Sequence, residues 1–130
     1  MIIVDASLII EVSLATPAGR QIQNRLRVGD DLLAAPELID LEVLQVLRRL
    51  ALRNIIDAGQ ADGAIAIFEG LPIERFSHAP LRAGIWALRG NLTAYDAAYF
   101  TLAALLDAPL WTRDEKFRAV PGHDVRLEIL

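Results

Sequence analysis

Two hydrophobic periods alternate along this chain, and the switches between them mark out its elements. Ile2-Ile3-Val4 is a β-branched run ending at Asp5, the pattern of a buried first strand, after which Ser7 can cap a short helix to about Ser13. Thr16 ahead of Pro17 predicts an N-cap and a first-turn proline, opening a helix to about Val28 that Gly29 stops. Leu32 to Ala35 reads as a second strand. From Glu37 to Asn54 the apolar residues Ile39, Val43, Val46, Leu47 and Leu50 form one buried helical stripe.

Asp57 can cap a further helix through Phe68, ended by Gly70, and Pro72 to Phe76 reads as a strand. Pro80 to Leu88 predicts a helix, Thr93 the cap of another reaching Leu106, Pro109 to Thr112 a strand, and Val125 to Leu127 an edge strand. Strands alternating with helices predict an α/β fold, a mainly parallel sheet covered on both faces. With no repeat, linker or low-complexity segment, residues 1–130 are expected to form a single domain.

Composition narrows the classes. A hydrophobic fraction of 54% suits elements buried on both faces and an apolar subunit interface, hence an oligomer. The absence of cysteine excludes disulfides, thiolate nucleophiles and Cys-ligated zinc, and fits a reducing cytoplasm. No basic segment precedes the apolar start, and the stretch Ala97 to Leu106 is too short to span a bilayer, so neither export nor membrane insertion is expected. The net charge of −4 argues against general nucleic-acid affinity unless bound cations offset clustered acids. Of the basic residues twelve are Arg and one, Lys116, is Lys.

The chemistry is suggested by where the acids fall. In a parallel α/β sheet ligands gather at the carboxyl ends of the strands, where the helices begin. Asp5 closes the first strand and Asp114 follows Trp111-Thr112 at the end of a later one. Asp96 lies in the first turn of the helix that feeds that strand. Glu42 lies about five residues into its own helix, deeper by roughly 7.5 Å at 1.5 Å per residue but with the longer reach. Four converging carboxylates repel one another and imply a cation, and oxygen-only ligands suit a hard ion such as Mg²⁺ or Mn²⁺.

Asp5-Ala6-Ser7 after a β-branched strand, Pro36-Glu37-Leu38 leading to Glu42-Val43-Leu44-Gln45-Val46-Leu47-Arg48-Arg49, Thr93-Ala94-Tyr95-Asp96-Ala97-Ala98-Tyr99 and Leu110-Trp111-Thr112-Arg113-Asp114 together resemble the PIN-domain ribonucleases. Within that family the chain looks like the VapC-like toxins of type II toxin–antitoxin systems. The resemblance covers nearly the whole chain and implies a PIN-like α/β/α sandwich. It places metal-binding and catalytic roles on Asp5, Glu42, Asp96 and Asp114, with Ser7 and Thr112 as supporting hydroxyls and Mg²⁺ or Mn²⁺ as cofactor. The implied activity is an RNA endonuclease in which metal-activated water attacks the phosphodiester, leaving 5′-phosphate and 3′-hydroxyl ends. The implied partners are an RNA substrate, a second copy of the chain and a VapB-like antitoxin that shields the acidic pocket with a basic side chain.

Each of these acids taken singly reads as a cap or a solvated charge; their joint placement reverses the balance. Asp40, Asp107 and Glu115 are assigned to the surface, Glu115 being close enough to Asp114 to stand as an alternative ligand. Arg113 and Lys116, flanking Asp114, are candidates for RNA contact. Arg48, Arg49 and Arg53 suit either phosphate or the C-terminal end of their helix. Tyr95 and Tyr99, four residues apart, are expected to share a packing face. His78 and His123 fit neither a zinc motif nor a triad, and no dinucleotide or P-loop motif occurs. Two alternatives stand: a metal-dependent phosphatase with Asp5 as nucleophile, and a non-catalytic PIN-like module that binds RNA or protein.

Overall fold

A computed structural model describes residues 1–130. The chain runs β1 (Ile2–Val4), α1 (Ala6–Ser13), α2 (Pro17–Gly29), β2 (Leu33–Pro36), α3 (Ile39–Leu52), α4 (Ala58–Gly70), β3 (Ile73–Phe76), α5 (Arg82–Ala87), α6 (Ala94–Leu105), β4 (Leu110–Thr112) and β5 (Leu127–Ile129). The five strands form one wholly parallel sheet in the order β3-β2-β1-β4-β5. Six helices flank it, as the α/β reading requires. Ile2, Ile3 and Val4 are all buried; because successive strand residues point to opposite faces, both faces of β1 must be covered. The helix α6 packs against β1, β2 and β4, while α1 packs against α2, α3 and α4.

Several boundaries moved for local physical reasons. Asp5, not Ser7, caps α1: its side chain accepts the Leu8 N–H at 3.1 Å. The helix α2 continues through Gly29 and ends at Asp30, whose φ of 50° is the left-handed conformation that Asp tolerates. The helix α3 starts at Ile39, and the Glu37 N–H ahead of it donates to the Phe76 carbonyl, continuing the pairing of β2 with β3. The Pro80 helix divides into a 3₁₀ turn, Ala79–Leu81, and α5. A second 3₁₀ turn, Glu115–Ala119, went unread in the sequence. It takes up chain after β4, so β5 begins at Leu127, opposite Leu110, rather than at Val125.

The caps read from sequence at Thr16, Asp57 and Thr93 are all made. Thr16 Oγ1 accepts from Gly19 N at 2.9 Å, and Asp57 and Gln60 form a reciprocal capping box. Thr93 Oγ1 accepts from Asp96 N at 3.2 Å. The last of these matters for position, since it fixes the first turn of α6 beside the carboxyl end of β1. The order of strands reverses at β1, from which the chain builds outward to β2 and later to β4. That seam between β1 and β4 is the switch point where ligands collect in open parallel sheets.

Candidate functional site

A cleft of about 260 Å³ opens at this seam, and Asp5, Ser7, Glu42, Asp96, Tyr99, Asp114 and Lys116 are among its lining residues. The four acids singled out from the sequence therefore border one cavity. Each arrives by a different element: Asp5 from the end of β1, Glu42 from the first turn of α3, Asp96 from the first turn of α6 and Asp114 from the segment after β4. The later start of α3 corrects the expected depth of Glu42. It sits in the opening turn, level with Asp96 in its own helix.

Asp5 is the most constrained. It is 5% exposed; one carboxyl oxygen accepts from Ser7 Oγ at 2.7 Å and Leu8 N at 3.1 Å, the other from Thr112 Oγ1 at 2.5 Å. Burial raises its pKa above the ordinary carboxylate value, and the hydrogen bonds from Thr112, Ser7 and Leu8, with the charge of Lys116, work against that rise. The two hydroxyls lie 3.3 Å apart and are themselves anchored: Ser7 Oγ accepts from Arg113 N at 3.1 Å and Thr112 Oγ1 from Asp114 N at 3.0 Å. Both hydroxyls thus bind the β1 end to the β4 end.

Glu42 is also pushed above its usual value, first by burial and then by the negative charges of Asp96 and Asp5. The Tyr99 hydroxyl is near enough to ease its ionisation, yet Glu42 Oε1 and the Tyr99 oxygen are both buried without completing a hydrogen bond. Burial, followed by the charge of Glu42, holds the Tyr99 phenol far up and therefore protonated. Asp96 Oδ2 accepts from Thr93 Oγ1 at 3.0 Å. Lys116 places its ammonium 3.0 Å from Asp96 Oδ2 and 2.8 Å from Asp114 Oδ2. Partial burial raises Asp114, but hydrogen bonds and charge from Lys116 outweigh it and leave the carboxyl below its ordinary value. Desolvation lowers Lys116, and its bonds to the two acids more than reverse this. As placed, no three acids or histidines stand close enough together to hold one metal ion.

The remaining candidates divide. Arg113 pairs with Glu11 at 3.6 Å and donates to the Leu130 carbonyl at 3.2 Å. Arg49 borders both the acidic cleft and a groove of about 530 Å³ along α3, whose walls include Leu41, Leu44 and Tyr95. Tyr95 is exposed while Tyr99 is buried, so the shared packing face is not made; Tyr95 lies in the opening turn of α6, where the groove leaves it open. Asp40 is held at the surface by Arg75 at 2.8 Å. His78 Nε2 accepts the Leu38 N–H at 3.1 Å at the entry to α3, and His123 meets the Phe100 ring edge-on. The sequence reading missed Tyr99 as a cleft residue. Its signal was the three-residue spacing from Asp96, which puts both on one helical face.

The family model described as "PIN domain" matches residues 2–123. "Ribonuclease VapC12" of Mycobacterium tuberculosis is 33% identical over 130 residues, covering 100% of this chain and 99% of that protein. "Ribonuclease VapC1" of the same organism is 36% identical over 129 residues, covering 98% and 96%. Among solved structures, VapBC2 from Rickettsia felis, bound to a DNA fragment from its promoter, superposes with a TM-score of 0.74 at 17% identity, covering 99% of this chain and 98% of that one. At that identity the superposition speaks for the fold alone.

Proposed function

The chain belongs to the PIN-domain family and is VapC-like within it, and from that premise we propose that it is a divalent-metal-dependent RNA endonuclease, the toxin half of a type II toxin–antitoxin pair. The observation that carries the proposal is the meeting of Asp5, Glu42, Asp96 and Asp114 at one cleft on the switch point of the sheet.

The donors fit a hard cation: they are all carboxylate oxygens, Glu42 Oε1 is buried and unpartnered, and an ammonium already lies between Asp96 and Asp114. Asp5, Glu42, Asp96 and Asp114 would hold Mg²⁺ or Mn²⁺. When bound, the cation supplies activation of water and neutralisation of charge on the phosphodiester. Ser7 and Thr112 keep Asp5 in one rotamer and join it to the Asp114 segment. Tyr99, protonated, offers its hydroxyl toward Glu42. Arg49 at the rim of the cleft, with Arg48 beside it in the groove, supplies positive charge for the RNA backbone.

The phosphatase alternative is not favoured, since the relatives that match nearly the whole chain are ribonucleases. The uncovered leucines of the α3 groove, contiguous with the cleft through Glu42, Val46 and Arg49, are the surface we assign to a VapB-like antitoxin, whose basic side chain would complement the acids. A homodimer acting in the cytoplasm completes the reading.

The test is cleavage of a structured RNA by purified protein with Mg²⁺, with Mn²⁺ and with excess chelator. Cleavage is expected only with metal. Equal cleavage in chelator would overturn the mechanism, and RNA binding without cleavage in any metal would favour a binding module.

A further inference from the structure

Lys116 is the single lysine of the chain, its other twelve basic residues being arginines. It stands two residues after Asp114, and its backbone N–H donates to Asp114 Oδ1 at 2.9 Å, which locks the start of the 3₁₀ turn. Its side chain then folds back over the cleft. The ammonium lies 2.8 Å from Asp114 Oδ2 and 3.0 Å from Asp96 Oδ2 and so bridges two acids contributed by different elements.

The choice of residue has physical content. A lysine ammonium is a compact point charge on a flexible stem, whereas a guanidinium is a planar fork. Of the two, the ammonium more closely imitates a small cation between two carboxylates. Lys116 is also free to leave, because its side chain is 43% exposed and its ring contact is a loose one, 5.8 Å from Phe117. The carboxylates it engages are two of the four proposed to hold a divalent ion. Asp96 Oδ2 has one further partner, Thr93 Oγ1, and Asp114 Oδ2 has none besides Lys116.

We propose that Lys116 is a built-in counter-ion that trades places with the divalent cation: it holds Asp96 and Asp114 together in the metal-free protein and is displaced when those carboxylates bind metal. The proposal rests on the metal-dependent reading above. The exchange has two effects of opposite sign. Without a bound metal Lys116 relieves repulsion between two acids, and for the same reason it weakens metal binding, since each ion pair must be given up before the carboxylates are available.

The experiment is Mn²⁺ binding to the full chain, by titration calorimetry and by the paramagnetic resonance signal of free Mn²⁺, for wild type, Lys116→Met, Lys116→Gln and Arg113→Met. Arg113 is a neighbouring cation committed to Glu11, so its removal measures the general effect of losing one positive charge. Both Lys116 variants are expected to bind Mn²⁺ roughly three- to tenfold more tightly than wild type, the scale of two partly exposed ion pairs. The Arg113 variant should change affinity by less. In chelator the Lys116 variants should melt below wild type, and saturating Mn²⁺ should close the gap. Unchanged or weaker Mn²⁺ binding in the Lys116 variants, or an equal gain in the Arg113 variant, overturns the exchange while leaving the metal site in place. Absence of Mn²⁺ binding in all four proteins overturns the metal reading itself and the exchange with it.

Discussion

Thr112 Oγ1 donates to Asp5 Oδ2 at 2.5 Å, joining two residues 107 positions apart across the seam between β1 and β4. The same hydroxyl accepts from Asp114 N at 3.0 Å. One fully buried threonine therefore ties the acid at the end of β1 to the acid that follows β4. Parallel pairing of Ile3 with Leu110 and Val4 with Trp111 brings Asp5 and Thr112 level with each other just beyond the paired residues.

Thr112→Val keeps the branched shape but removes the donor. Hydrogen bonds to charged groups contribute about 1.5–3 kcal/mol, so urea unfolding in chelator should show a loss of that order. Thr112→Ser should retain most of the stability. A valine variant as stable as wild type would show that the contact contributes nothing.

Asp5→Asn, Glu42→Gln, Asp96→Asn and Asp114→Asn should each slow Mg²⁺-dependent RNA cleavage by about a hundredfold or more, the scale for removing a group that stabilises developing charge. Far-UV circular dichroism should show the helices intact. Near-normal cleavage by any one variant would remove that residue from the proposed site.

Asp5 and Glu42 have raised pKa values in the folded chain, from ordinary values of 3.8 and 4.5. Between the unfolded and folded values the native state holds protons that the unfolded state has released. Their ionisation therefore destabilises the metal-free protein as pH rises through the folded values, and the penalty vanishes below the unfolded ones. Asp114 acts in the opposite sense: its lowered value contributes stability above 3.8 that is lost as pH falls through its folded value. In chelator, Glu42→Gln should melt above wild type at neutral pH, with the difference shrinking toward zero below pH 4.5. Melting curves from pH 7 to pH 4 check this, and a difference independent of pH would contradict it.

Gly19 sits where α2 crosses α1 so closely that a Cβ would stand 1.9 Å from the Glu11 carbonyl oxygen. Backbone cannot yield there without moving a helix, and overpacking of this kind costs about 1–3 kcal/mol. Gly19→Ala should lower the urea midpoint accordingly while leaving cleavage per folded molecule unchanged, because Gly19 is outside the cleft. An unaltered midpoint would mean that the helices can separate freely.

The elements and acids legible in the sequence were those with a short-range signature. A β-branched run stopping at Asp5, a threonine before a first-turn proline, Asp57 ahead of its helix, and Thr93 three residues before Asp96 each act through neighbouring residues, so local pattern suffices to place them. That strand ends and helix starts share one edge follows from parallel topology alone, and so the four acids could be gathered at a single cleft before any distance was known.

The identity of the partners was decided elsewhere. Glu37 joins the sheet through the Phe76 carbonyl just ahead of α3, whose first turn holds Glu42; no local signal carries that pairing. Tyr99 is directed toward Glu42 by packing of α6 against the sheet, and Lys116, in the segment after β4, reaches Asp96 where α6 packs against that strand. Caps and periodicity arise from energies between residues a few positions apart, whereas these contacts depend on register and helix packing between segments tens of residues apart. Only the folded sheet brings those segments within hydrogen-bonding distance.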